Sequence, residues 1–79
     1  MKLPRDISAV DLIKALKVFG YTVTRQAGSH IRVTTTQNGE HHVTIPNHDP
    51  IKIGTLSSIL NDVAIHFNIS KEQVIKQLF

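Results

Sequence analysis

The residues on either side of Gln37-Asn38-Gly39 constrain the fold more than any other feature of this chain. Apolar residues alternate with polar ones on both sides of this segment, at Ile31 and Val33 before it and at Val43 and Ile45 after it. A period of two is typical of a strand with one buried face, and Asn-Gly is a strong hairpin signal. The sequence therefore predicts an antiparallel hairpin that buries its apolar face and leaves its polar face open.

The register of this hairpin follows from its apolar face. Paired residues of antiparallel strands point to the same side, so Ile31 should lie opposite Ile45. This pairing leaves a three-residue loop with Gly39 in a left-handed conformation, or an equivalent bulge. A two-residue loop would set Ile31 opposite Pro46 and slip the apolar faces out of match. The other predicted pairs are Val33 with Val43, Arg32 with Thr44, Thr34 with His42 and His30 with Pro46.

Helices are predicted before and after the strands along the chain. Ser8 and Asp11 are spaced like a capping box, and the pattern recurs at Ser70. Gly20 is placed to end the first helix, and Thr55 is the predicted cap of the second. The predicted elements are a helix over about 8–19, strands over about 21–26, 29–35 and 40–46 with a turn at 27–28, a helix from 55 to about 67, and a short helix after 70. This order predicts an α+β fold with helices on one face of a three-stranded antiparallel sheet.

Size and composition limit the function classes. A chain of 79 residues suits one domain, residues 1–79, and without cysteine it has neither disulfides nor thiolate zinc sites. The net charge of +3 is compatible with nucleic acid but does not require it. The start lacks the long apolar run of a signal peptide, and no stretch approaches the ~18–20 apolar residues of a membrane span. We therefore expect a soluble cytoplasmic protein with no membrane partner.

His30 is the sharpest candidate for chemistry because it stands on the open face directly after Gly28-Ser29. A histidine can take and give a proton near neutral pH, as RNA cleavage by the neighbouring 2′-hydroxyl requires. Gly28 lets the backbone come close to a ligand, and Arg32 on the same face could hold a phosphate. Spacing alone nevertheless favours the plainer interpretation, a solvent-facing strand histidine without a role.

A basic rim is the second candidate. Lys2, Arg5, Arg32 and Lys52, with the free amides of the helix start at 55–57, could bind phosphates, because a helix N-terminus attracts anions. The equally good alternative is that these basic residues are ordinary solvated surface charges that bind no phosphate.

The remaining histidines carry weaker signals. His41 and His42 are neighbours on a strand, so they point to opposite faces and cannot share one metal ion. A metal site from His42, His48 and Asp49 is a weak alternative. His66, near the end of the second helix, reads as a surface or cap residue. Phe19 and Tyr21 occupy core positions and are not expected to stack on bases.

Several segments, which follow one another in a particular order through almost the whole chain, carry a family resemblance. They are Lys2-Leu3-Pro4-Arg5-Asp6-Ile7-Ser8, Leu12-Ile13-Lys14-Ala15-Leu16, Phe19-Gly20-Tyr21, Arg25-Gln26-Ala27-Gly28-Ser29-His30-Ile31-Arg32, Val43-Thr44-Ile45-Pro46-Asn47-His48, Gly54-Thr55-Leu56 and Ser58-Ile59-Leu60. Together they resemble the HicA toxin family, the RNA-cleaving half of a bacterial toxin–antitoxin pair. The resemblance implies a fold like a double-stranded-RNA-binding domain and a metal-independent endoribonuclease that acts on mRNA, is linked to stress response and is inhibited by a HicB-type antitoxin. It further implies that His30 is catalytic and that Gly28 matters to the site.

The expected site therefore has one catalytic residue, His30, no cofactor and no metal. The residues expected to bind RNA or shape the site are Gly28, Ser29, Arg32, Lys2, Arg5, Lys52 and Thr55. The free toxin is expected to be monomeric. A departure from the family lies at 63–68, where the usual glycine-containing turn is missing and a longer second helix is expected.

Three other function classes stay open at this point. The chain could be a non-catalytic RNA-binding module of the same fold, a protein-interaction module that uses the sheet, or a small metalloprotein.

Overall fold

The computed structural model describes residues 3–79 as a helix, three strands and two further helices. The elements are α1 (Ala9–Leu16) with a 3₁₀ turn (Lys17–Phe19), β1 (Thr22–Ala27), β2 (His30–Thr35), β3 (His41–Pro46), α2 (Ile53–Phe67) and α3 (Lys71–Leu78). The strands form one antiparallel sheet in the order β1-β2-β3. The predicted α+β fold and the predicted order of its elements are therefore confirmed.

Local sequence signals set the boundaries of α1 and α3. The Ser8 hydroxyl accepts a hydrogen bond from the Asp11 amide at 3.1 Å, and the Asp11 carboxylate accepts one from the Ser8 amide at 3.4 Å. Ser70 and Gln73 form the same reciprocal box at the start of α3. Gly20 ends the 3₁₀ turn with a φ of 81°, a conformation that favours glycine. Both predicted capping boxes are confirmed.

The start of α2 differs from the prediction. Thr55 is not the cap but lies inside the first turn, because the helix begins at Ile53 and Lys52 is its N-cap residue. The reason is tertiary anchoring just before the helix. Ile51 is only 3% exposed, and its amide donates to the Ile7 carbonyl at 2.8 Å.

The far end of α2 confirms the expectation of a long second helix. Val63 and Ala64 are buried, so the helix continues to bury an apolar stripe in its last turns. The Phe67 ring packs on Phe19 with 4.8 Å between ring centroids. Asn68 then ends the helix in the left-handed conformation, with a φ of 54°.

The β2–β3 hairpin has the predicted register. Ile31 lies opposite Ile45, and the pairs Val33–Val43, Arg32–Thr44, Thr34–His42 and His30–Pro46 follow it. The ladder closes at Thr35–His41, so the connecting loop is longer than the three residues predicted. The left-handed conformation expected for Gly39 is present, with a φ of 95°.

The β1–β2 hairpin turns one residue later than predicted. Ala27 belongs to β1 and pairs with His30, so Gly28 and Ser29 form the two-residue turn. Gly28 has a φ of 57°, which a two-residue hairpin turn needs at its first position.

The core lies on one side of the sheet only. Its buried members from strands and helices include Ile31, Val33, Val43, Ile45, Leu12, Leu16, Leu56, Leu60 and Val63. Each such side chain contributes about 1.5–3 kcal/mol on burial. The smallest dimension of the molecule is 17 Å, enough for one sheet and one helix layer. The opposite sheet face is therefore left open. No helix within residues 3–79 is both long and apolar enough to cross a membrane.

Candidate active site on the open sheet face

His30 stands at the first position of β2, beside the two-residue turn. It is exposed and lies between Ala27 on β1 and Pro46 on β3. Its imidazole makes no hydrogen bond to any other residue in the described part of the chain. Both ring nitrogens are therefore free to meet a substrate.

An open depression of about 310 Å³ lies in front of this histidine. It is at the small end of the volumes typical of ligand sites. Its lining residues are Arg25, Ala27, His30, Arg32 and Thr44. The register explains this grouping, because Arg32 pairs with Arg25 on one side and with Thr44 on the other.

The backbone before His30 is fixed from outside the hairpin. The Asn47 amide donates to the Ser29 carbonyl at 2.7 Å, and the His48 carbonyl accepts from the Ala9 amide at 3.0 Å. The connection between β3 and α2 therefore ties the turn to the start of α1. A Cβ at Gly28 would meet nothing within 4 Å, so positive φ, and not crowding, is what requires glycine there.

Arg25 is the site residue that the sequence analysis missed. Regular pairing from Val23–Val33 onward would place Arg25 opposite the buried Ile31, on the inner face. A β-bulge between Val23 and Arg25 turns Arg25 onto the open face instead. The warning signal was a charged residue at an inward position of the alternation.

A comparison with known protein families agrees with this fold. A family model described as the HicA toxin of bacterial toxin–antitoxin systems matches residues 9–65, more than two thirds of the chain. The chain belongs to the HicA toxin family. No significantly similar curated protein and no significantly similar solved structure was found for the toxin. The matched region includes the whole sheet and therefore the depression in front of His30.

The toxin brings together only part of the predicted site. His30 and Arg32 share the depression, whereas Arg5 and Lys52 are exposed and do not line it. The segments that carry them meet through the Ile7–Ile51 backbone hydrogen bond. Lys2 lies outside the described residues.

Thr55 belongs to a second depression, on the other side of β3. Its lining includes His42, Thr44, Ser58 and Asp62. The free amides at the start of α2 also lie earlier than predicted, at 53–55 instead of 55–57. The next amide, that of Leu56, already donates to the Lys52 carbonyl at 2.9 Å.

The metal alternative is not supported by the arrangement of the toxin. Within residues 3–79, no three His, Asp or Glu side chains come together as a metal-binding group. His42 lies near the loop end of the sheet, where Thr34 Oγ1 contacts its Nδ1 at 2.7 Å and Glu40 its Nε2 at 3.3 Å. His48 lies beyond the other end of β3, so His42, His48 and Asp49 do not form one group.

A different histidine cluster joins the end of α2 to the sheet. His41 and His66 stack with 4.4 Å between centroids, and His66 Nε2 donates to the Gln37 carbonyl at 2.9 Å. The Tyr21 hydroxyl lies 2.8 Å from His41 Nδ1. Burial, and secondarily Asp62, raises the pKa of Tyr21 to about 12, while burial and His66 lower the pKa of His41. Tyr21 therefore keeps its proton, and its hydroxyl shares a hydrogen bond with a neutral imidazole. His66 was predicted to be a surface or cap residue, but its ring packs on His41 and hydrogen-bonds to Gln37.

Proposed function

We propose that this HicA toxin is an endoribonuclease that cleaves mRNA and so blocks translation. One observation carries the proposal. His30 offers an unbonded imidazole at the edge of a depression that it shares with two guanidinium groups. General acid–base chemistry beside fixed positive charge is what cleavage of a phosphodiester needs.

In the proposed reaction the substrate supplies its own nucleophile. The 2′ oxygen of one nucleotide bonds to the adjacent phosphorus and the P–O5′ bond breaks, leaving a 2′,3′-cyclic phosphate and a 5′-hydroxyl. One proton leaves the 2′-hydroxyl, and one is delivered to the 5′ oxygen. His30 performs at least one of these two transfers, and solvent or the substrate completes the other. No metal takes part.

The other proposed contacts hold the RNA strand. Single-stranded mRNA would lie across the open face, where Gly28 and Ser29 admit the backbone and Arg32 binds a phosphate. Lys2, Arg5, Lys52 and Thr55 would bind phosphates further along the strand. This role fits the exposed positions of Arg5 and Lys52 away from the depression.

The test is cleavage of mRNA by the purified toxin in EDTA, compared with His30→Ala. His48→Ala is the matched control because His48 is also exposed and its ring makes no hydrogen bond within residues 3–79. Circular dichroism verifies folding. We expect full cleavage by the toxin and the control, and cleavage about 10²–10⁴-fold slower by His30→Ala. Loss of cleavage in EDTA would overturn the metal-independent reaction, and an undiminished cleavage rate in folded His30→Ala would overturn the role of the histidine.

A non-catalytic RNA-binding module is the second candidate. It is favoured by the lining of the depression, which within residues 3–79 contains one imidazole and no carboxylate. In that case His30→Ala would bind RNA as well as the natural toxin does. Arg32→Gln would reduce the slope of log affinity against log salt by about 0.7, the value of one phosphate contact to a single strand.

We propose that a HicB-type antitoxin neutralises the toxin by covering His30 and the basic groups around it. An acidic insert or a blocking side chain would both suffice. Titration of the antitoxin into the cleavage assay should stop the reaction and protect His30 from chemical modification. We also propose one toxin domain over residues 1–79, monomeric when free and active in the cytoplasm where mRNA is translated. Size-exclusion chromatography at working concentration tests the monomer.

A further inference from the structure

The bulge in β1 gives the open face a second arginine. Thr24 is the extra residue, and its Oγ1 lies 2.8 Å from Thr34 Oγ1 on that face. Arg25 follows on the same face, directly opposite Arg32. β-Bulges commonly re-aim a side chain next to a functional site. The irregularity therefore produces a guanidinium pair, Arg25 and Arg32, on neighbouring strands.

This guanidinium pair has no counter-ion among residues 3–79. Like charges directly opposite each other destabilise a sheet. Within residues 3–79 the only contact at salt-bridge distance joins His42 and Glu40, so no carboxylate bridges the two arginines. Arg32 Nε is moreover buried without a hydrogen-bond partner in the same part of the chain. A buried donor without an acceptor is unfavourable. No hydrogen bond from this nitrogen holds Arg32 in its present conformer, and the pair as a whole would gain from an added anion.

The guanidinium pair faces the same space as His30. Two residues of strand, about 7 Å, separate His30 from Arg32. Ala27 lies opposite His30, and its small side chain leaves the space beside the imidazole open. All four side chains line the one depression. A group bound by both arginines would therefore lie within reach of the imidazole.

We propose that Arg25 and Arg32 form a two-guanidinium phosphate site that holds the phosphate cleaved beside His30. This inference rests on the proposed function. As the 2′ oxygen bonds to phosphorus and the P–O5′ bond breaks, negative charge grows on the two non-bridging oxygens. Each guanidinium donates to one of those oxygens, and such charge-assisted bonds strengthen as the charge grows.

The first arm of the test measures anion binding, which does not depend on cleavage. Thermal melting is followed in low-salt buffer without phosphate, then with inorganic phosphate, for the natural toxin, Arg25→Gln, Arg25→Lys and Arg32→Gln. Lys14→Gln is the charge-matched control, because Lys14 is exposed on α1, which packs against the other sheet face. Circular dichroism verifies folding, and Arg25→Lys retains the charge if the neutral variant folds poorly.

We expect Arg25→Gln to melt about 2–4 °C higher than the natural toxin without phosphate, because a repulsion is removed. Phosphate should stabilise the natural toxin and Lys14→Gln. Affinity for phosphate should fall about 10–100-fold in Arg25→Gln and Arg32→Gln. Unchanged phosphate affinity in Arg25→Gln would overturn the site.

The second arm measures RNA cleavage by the same proteins. Arg25→Gln should lower kcat about 10–100-fold with a smaller change in KM, since the contact strengthens in the transition state. If the natural toxin cuts RNA and Arg25→Gln cuts it equally fast, the two-arginine site fails and the nuclease proposal stands. If nothing cuts RNA but phosphate binding needs both arginines, the nuclease proposal fails and the pair stands as an anion site.

Discussion

The two ends of the sheet use histidine in opposite ways. At one end His30 is exposed and lies beside two arginines, and within the described residues neither the imidazole has a hydrogen-bond partner nor the arginines a counter-ion. At the other end His41 and His66 stack on each other and hydrogen-bond to Tyr21 and Gln37. The residue type is the same, but His41 and His66 each use one ring nitrogen in a hydrogen bond inside the protein.

This difference separates a candidate catalytic group from a structural one. A ring nitrogen that already holds a hydrogen bond within the fold cannot accept or release a substrate proton without breaking that bond. An imidazole without such bonds contributes little to stability and is free to react. Substitution at the two ends should therefore affect two different quantities, the rate of cleavage at one end and the free energy of unfolding at the other.

The largest expected effect is at His30. His30→Ala should lower the rate of RNA cleavage at least about 10²–10⁴-fold, the usual contribution of a general acid or base. Its free energy of unfolding should change by no more than about 0.5 kcal/mol, as for an exposed residue without partners. Cleavage rates and urea unfolding of the same preparations test both halves. A large loss of stability would show that His30 serves the fold after all.

The second largest expected effect is a difference in stability between alanine substitutions at the glycines of the two ends, Gly20 and Gly28. Gly20 adopts a φ of 81°, and an added Cβ would come within 2.6 Å of the Gln37 side chain and 2.9 Å of Thr35 Oγ1. Gly28 has a φ of 57° but open space around it. Gly28→Ala should therefore lose only the backbone preference, about 1–2 kcal/mol, and Gly20→Ala about 2–4 kcal/mol.

Urea unfolding of the two glycine variants measures this difference. Equal losses would mean that the contacts around Gly20 yield without strain. Cleavage by the folded fraction adds a second readout. It should fall in Gly28→Ala alone, since only that turn leads into His30.

His66→Ala should reduce stability by about 1–2 kcal/mol. The variant loses the hydrogen bond to the Gln37 carbonyl, the stacking on His41 and the edge-to-face contact with Phe67. In the natural chain the Asn38 side chain also donates to the backbone carbonyl of His66 at 2.8 Å. The variant can keep this bond, so the β2–β3 loop stays attached to the end of α2. Unfolding midpoints compared with those of His48→Ala measure the effect. Cleavage per folded molecule should stay constant, and a specific loss would break the contrast between the two ends.

Features set by local sequence, or by a pattern that only one strand pairing satisfies, were predictable from the sequence. The β2–β3 register follows because only one pairing keeps Ile31 and Val33 on the apolar side, and it placed His30 and Arg32 together on the open face. The capping box at Ser8 is equally local. The hairpin register by itself thus positions most of the side chains that line the depression.

Features that depend on distant contacts were not predictable. The bulge that turns Arg25 outward arises where edge strand β1 accommodates an extra residue, and alternation alone assigns Arg25 to the wrong face. The start of α2 is fixed by the hydrogen bond between Ile51 and Ile7, which no local pattern encodes. The stacking of His66 on His41 likewise joins α2 to β3, so no local pattern around His66 predicts it.

The smallest expected effect is the dependence of stability on pH at the structural end. Burial, with His66 and His42 nearby, lowers the pKa of His41, and the Asp62 carboxylate only partly opposes this. The unfolded chain then binds a proton more readily than the folded one. The contribution of His41 is therefore complete above its unfolded pKa of about 6.5 and is lost as pH falls below that value.

Melting temperatures between pH 7.5 and pH 5 test this prediction in the natural toxin and in His41→Gln. Glutamine still offers the Tyr21 hydroxyl an acceptor but does not titrate, so the variant should lose less stability on acidification. His48→Gln removes an exposed histidine and should retain the natural slope. If His41→Gln and the natural toxin share one slope, the acid sensitivity arises outside the His41–His66 cluster. The contrast between the two ends would then rest on packing and hydrogen bonding alone.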